Sequence, residues 1–134
     1  MKKIISSLFA IIAVVMLASC GNDNTPTGIV KTYEDAQIAK DYDKVFDCMV
    51  NSNGEVLTKE QRDMYKNIIL SKVNDSEKNK AFAVSYEIVK EEIDAKDENK
   101  AKVTVKEKDG EGKEKETTVD CVKVDGDWKV QMNK

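Results

Sequence analysis

Apolar and polar positions change rhythm twice along the chain. Residues 4–17 are apolar except for Ser6 and Ser7. From Thr25 to Asn74 apolar residues recur every three or four positions, and after Lys80 they alternate with polar ones. The first helical stretch opens at Thr25-Pro26, a capping hydroxyl followed by proline at the first helical position, and carries Ile29, Val30, Tyr33 and Ala36 on one face. Asp41 interrupts it and caps a second stretch with Tyr42, Val45, Phe46 and Met49 in phase. After the turn cluster Asn51-Ser52-Asn53-Gly54, Thr58 and Gln61 form a capping box for a third helix, whose apolar face is Met64, Tyr65, Ile68 and Ile69.

The period-two region predicts four strands. Phe82, Val84, Tyr86 and Ile88 form the apolar face of the first, and Ala101, Val103 and Val105 that of the second. Residues 106–116 are charge-rich around Asp109-Gly110 and predict a solvated hairpin loop. The third strand covers residues 117–124, and its alternation slips between Cys121 and Val122, which predicts a bulge or burial on both faces. Asp125-Gly126 is a two-residue hairpin signal, and Trp128, Val130 and Met132 form the inner face of the last strand. The pattern as a whole predicts an α+β domain: three N-terminal helices packed on a four-stranded antiparallel sheet, with Phe46, Ile68, Val84, Val103 and Trp128 in one core.

The first 19 residues change that picture, because they read as a leader and not as part of the domain. Lys2 and Lys3 precede an uninterrupted apolar run at 8–17, half of the roughly 20 residues that a membrane-crossing helix needs. The run closes on Leu17-Ala18-Ser19-Cys20, which resembles the lipobox of bacterial lipoproteins. That resemblance implies cleavage before Cys20, a diacylglyceryl group on its sulfur, and a membrane partner held through the lipid. The division that follows is a signal peptide at 1–19, a lipidated cysteine with a short tether at 20–25, and one α+β domain at 26–134. The expected location is the cell envelope. Gly21 in place of aspartate after the cysteine leans toward the outer membrane if the cell has two.

Charge and composition then narrow the chemistry. All 25 acidic residues follow the leader, whereas Lys2 and Lys3 of the 22 basic residues leave with it, so the mature chain carries a net charge of about −5. An acidic chain without a basic face excludes nucleic acid as an expected partner. There is no histidine, which removes the commonest metal ligand and the usual proton carrier near neutral pH, and Arg62 is the sole arginine. No metal site, cofactor or catalytic residue is assigned. Asp41, Asp43 and Asp47 lack the spacing and central glycine of a calcium loop, and capping accounts for Asp41 and Asp43. Asp120 is read as facing solvent, opposite in phase to Val119 and Cys121. Turned inward it would be a general-base candidate. Arg62 is read as a surface residue.

Tyr33, Tyr42, Tyr65, Tyr86 and Trp128 have core spacing first, with Tyr33, Tyr65, Tyr86 and Trp128 as the candidates to line a pocket. Cys48 and Cys121 remain after processing, in a compartment where a disulfide can persist, and either a bond between them or two small buried thiols accounts for them.

Two segments carry a wider resemblance. Asp41-Tyr42-Asp43-Lys44-Val45 between two helices, and the closing Val124-Asp125-Gly126-Asp127-Trp128-Lys129-Val130 hairpin, resemble small bacterial lipoproteins of unknown function. Those proteins carry a nuclear transport factor 2-like (NTF2-like), or cystatin-like, cone domain. The resemblance runs over roughly residues 25–132. It implies a curved sheet wrapped around helices, with a pocket at the wide end of the cone. Catalytic members place Asp with His, or Tyr with Asp, in that pocket, and a chain without histidine cannot form the first of these pairs. Three functional expectations follow: a non-catalytic module binding an unidentified small molecule or protein at the envelope, an accessory subunit of an envelope complex, or an enzyme restricted to carboxylate, tyrosine and lysine chemistry.

Overall fold

The computed structural model describes residues 24–75 and 80–133. The expected anchor at Cys20 and the expected leader lie outside these residues. Helix α1 (Pro26–Ile38) starts where the sequence places it, with the Thr25 side chain accepting from the Gly28 N–H at 2.9 Å. It ends at Ala39, and Lys40 turns the chain in the left-handed region (φ 60°). Helix α2 (Tyr42–Asp47) is capped by Asp41, which accepts from the Lys44 N–H. Helix α3 (Lys59–Val73) opens with the Thr58–Gln61 capping box, each side chain bonded to the other residue's backbone N–H. No described helix is long and apolar enough to cross a membrane.

The sheet has five strands, not the four that alternation predicts, and it is not wholly antiparallel. Strands β2 (Ala83–Ile93), β3 (Lys100–Asp109), β4 (Glu114–Val124) and β5 (Asp127–Gln131) form the expected meander. A two-residue strand β1 (Met49–Val50) adds to the far edge in parallel with β5, giving the order β1-β5-β4-β3-β2. Two residues are too few to show a period, and the pairing Met49↔Val130 is distant in sequence, so local pattern carries no sign of it.

Four further expectations are corrected. The charge-rich segment 106–116 is mostly strand: Lys106 pairs with Glu116 and Lys108 with Glu114, leaving a short turn around Gly110 and Gly112. Strand β4 pairs without a slip at Cys121 and Val122. The register shifts are in β2 instead, between Ala83 and Ser85 and between Ile88 and Lys90. The first leaves Val84 56% exposed, outside the core assigned to it. The second puts Glu91 in the phase that faces inward, where simple alternation would have put Lys90 and Glu92. Finally, α3 buries none of its residues and packs on α2, so Ile68 is 47% exposed and the third helix does not cover the sheet.

The core therefore divides in two. Val30 of α1 meets the inner sheet face (Ile88, Val103, Val105, Val119, Trp128 and Val130), while Ala36, Tyr42, Val45, Phe46 and Leu57 form a second cluster among the helices. Tyr33 and Met49 touch both. The Asp125-Gly126 turn forms as expected, with φ of 52° and 86° at its two residues. Asn24, assigned to the tether, clips onto this hairpin: its Nδ2 donates to the Gly126 carbonyl (2.8 Å), and its Oδ1 accepts from the Trp128 N–H (3.0 Å).

Candidate functional site

Because α3 packs on the helical cluster and not across the sheet, space remains between the helical layer and the end of the sheet. A cavity of about 280 Å³ opens there. Helix α1 contributes Tyr33 and Gln37, α2 contributes Tyr42, Val45 and Phe46, and α3 contributes Tyr65, Ile68 and Ile69. Met49, Phe82 and Met132 complete the wall from the strand ends. No lining residue carries a formal charge. The α3 wall is held by pairs on its outer side, Arg62 to Asp47 at 2.8 Å and Lys66 to Asp43 at 3.6 Å, and by the tilted Phe46–Tyr65 ring pair. Exposed ion pairs of this kind contribute at most about 1 kcal/mol each.

Behind Tyr33 lies a carboxyl pair that sequence pattern did not single out. Glu34 is only 2% exposed, and its Oε2 has no hydrogen-bond partner. Burial, with the charge of Glu107 and a hydrogen bond to it, pushes Glu34 up to about 8. At neutral pH Glu34 thus keeps a proton. Glu107 in turn accepts from the Thr117 hydroxyl at 3.3 Å. Tyr33 is pushed up to about 12, by burial first and then by its neighbours Glu34 and Glu107, so its phenol stays neutral. Both carboxyls had a detectable signal: Glu34 stands four residues after Val30 on one helix face, and Glu107 continues the inward series Val103, Val105.

Glu91 is a different case. Its Oε1 accepts from the N–H (2.9 Å) and hydroxyl (2.8 Å) of Thr27, so a buried carboxylate fastens the first turn of α1 to β2. The favourable helix end and two donors explain its burial without any ligand.

The residues singled out from sequence fall into separate places. Tyr33 and Tyr65 line the cavity. Tyr86 is apart from its lining and donates its hydroxyl to Asp35 at 2.9 Å. Burial, followed by that bond, holds its phenol well above the ordinary value. Trp128, at 6% exposure, is in the core under the hairpin. Asp120 pairs with Lys102 at 2.9 Å on the outer sheet face. Cys48 and Cys121 are buried free thiols, not a disulfide. Strand β5 runs between them, since Val130 bonds to the Cys48 carbonyl on one side and pairs with Cys121 on the other. Two strand spacings, about 9–10 Å, exceed the reach of a disulfide. Burial raises both thiols, Cys121 to about 12.

Comparison with known proteins agrees with this architecture. The model of a family described as a domain of unknown function, DUF4878, matches residues 18–131. The chain belongs to that family. No curated protein matches it. Among solved structures, it is similar to the crystal structure of an NTF2-like protein from Campylobacter jejuni provisionally described as a transpeptidase, at a TM-score of 0.60 and 16% identity. The match covers 81% of this chain and 99% of the other. This DUF4878 chain therefore has an NTF2-like fold: a mostly antiparallel sheet with α1 across its inner face, in line with the fold that the sequence resemblance implied.

Proposed function

We propose that this DUF4878 protein is an envelope lipoprotein whose domain binds a small ligand in the cavity between its helices without transforming it. The observation that carries the reading is the apolar, aromatic-walled cavity of about 280 Å³ at one end of the sheet. The Glu34–Glu107 pair is not part of its lining, so no carboxyl group is in place to attack or protonate a guest. The transpeptidase description belongs to the Campylobacter protein, and at this identity the likeness supports the fold alone.

Binding is testable with a neutral fluorescent probe, N-phenyl-1-naphthylamine. The domain should bind it saturably, and Ile69→Trp, which fills the cavity from α3, should weaken binding at least about tenfold while the melt stays cooperative. Absence of saturable binding, or equal affinity in the variant, sinks the reading.

A second reading has its own observation. Met64 and Ile68, one turn apart on α3, are exposed and form an apolar stripe suited to a protein partner in an envelope complex.

The anchor is tested separately. Cys20→Ala should leave unprocessed or soluble precursor in place of membrane-bound mature protein, followed by detergent partitioning and mass measurement of the N-terminal peptide. An unmodified Cys20 in the native protein ends the lipoprotein reading.

A further inference from the structure

We propose that the cavity is selective for apolar organic cations, tertiary or quaternary amines with a short hydrocarbon body, and discriminates against carboxylates of the same size. This rests on the cavity being a ligand site, and it adds the sign of the ligand's charge.

Size sets the first limit. An engineered apolar cavity of about 150 Å³ takes benzene, so 280 Å³ suits a body of roughly ten non-hydrogen atoms. The wall sets the second. Tyr33, Tyr42, Phe46, Tyr65 and Phe82 bring five aromatic rings to one small space, and ring faces attract cations and repel anions. No lysine or arginine lines the space to receive a carboxylate. The nearest described cations of α3, Arg62 and Lys66, are engaged outside it with Asp47 and Asp43.

Behind the rings sits the Glu34–Glu107 pair, with one buried carboxyl oxygen unsatisfied. Glu34 directly follows Tyr33 in the chain, so this pair stands next to the aromatic wall. A cation entering an apolar cavity must shed its hydration, which is costly for a compact ammonium. Alkylated ammonium groups spread their charge and are weakly hydrated, so aromatic faces and a nearby carboxylate offset the loss. A carboxylate would meet the same desolvation with repulsion added.

The test compares hexyltrimethylammonium, nonanol and octanoate, probes of about equal size, by calorimetry on the anchor-free domain at neutral pH. The cation should bind at least about tenfold more tightly than octanoate, with nonanol between them. In the Glu34→Gln/Glu107→Gln variant the cation should lose its advantage over nonanol while nonanol keeps its affinity within about twofold. Phe46→Leu, which keeps the carboxyl pair, should weaken the cation more than nonanol and provides a second reading should the double variant fold poorly. Octanoate binding as tightly as the cation overturns the charge selectivity and leaves the ligand site standing. No binding by any of the three overturns the site as well.

Discussion

Replacing Trp128 with alanine should destabilise the domain by about 3–5 kcal/mol, the range for deleting a buried indole. The side chain is 6% exposed and belongs to the cluster of Val30, Val103, Val119 and Val130 that joins α1 to the inner sheet face. Its removal leaves a void that β5 cannot close. The strand is held on one side by β4 and on the other by β1, and the Trp128 N–H is fixed to Asn24. Lys123, 6.0 Å above the ring, adds little at the surface. Urea unfolding of the wild type and variant measures the difference, and a loss below about 1 kcal/mol would mean that the indole is not an anchor of this core.

Stability should fall as pH rises from about 4.5 to about 8, and Glu34→Gln should abolish most of that slope. Below the ordinary glutamate value of 4.5 both folded and unfolded chains hold the Glu34 proton. Above it the unfolded chain releases the proton while the folded chain keeps it to about 8, so the unfolded state gains progressively across this window. Burial is the main cause, with Glu107 and then Asp35 adding to it. A shift of this size corresponds to a few kcal/mol at most by linkage. The amide cannot ionise, so the variant should exceed the wild type above pH 8 and approach it near pH 5. Denaturant midpoints at pH 5, 7 and 9 decide the matter, and a wild type that gains stability over this range, or a variant with the same slope, contradicts it.

What was legible in the sequence was chemistry completed within a few residues. Thr25-Pro26, Asp41, the Thr58–Gln61 box and Asp125-Gly126 satisfy backbone groups that are their immediate neighbours, and each is where its element begins or turns. What escaped depends on distant partners. Strand β1 exists because β5 offers an edge to Met49 and Val50, and the β2 bulge before Lys90 turns Glu91 toward Thr27. The free thiols follow from the same pairing, because β5, lying between β1 and β4, separates Cys48 from Cys121. Of the four residues singled out for a pocket, Tyr33 and Tyr65 line the cavity, whereas Tyr86 and Trp128 serve the α1–sheet contact and the core. Glu34 and Glu107 were in phase with apolar neighbours, but charge alone made solvent the natural reading.

The Asn24 clip has a consequence for orientation. With the proposed lipid on Cys20, only residues 21–23 remain between the acylated cysteine and the point where the chain is fastened to the β4–β5 turn, a reach of about 14 Å when extended. That turn would rest against the bilayer as a foot. Strand β5 leads away from it and ends beside Met132 in the cavity wall, so the cavity would stand at the far end of the sheet, facing the aqueous compartment. A guest would then arrive from solution, and the membrane would act as the floor on which the receptor stands, not as the reservoir that supplies it.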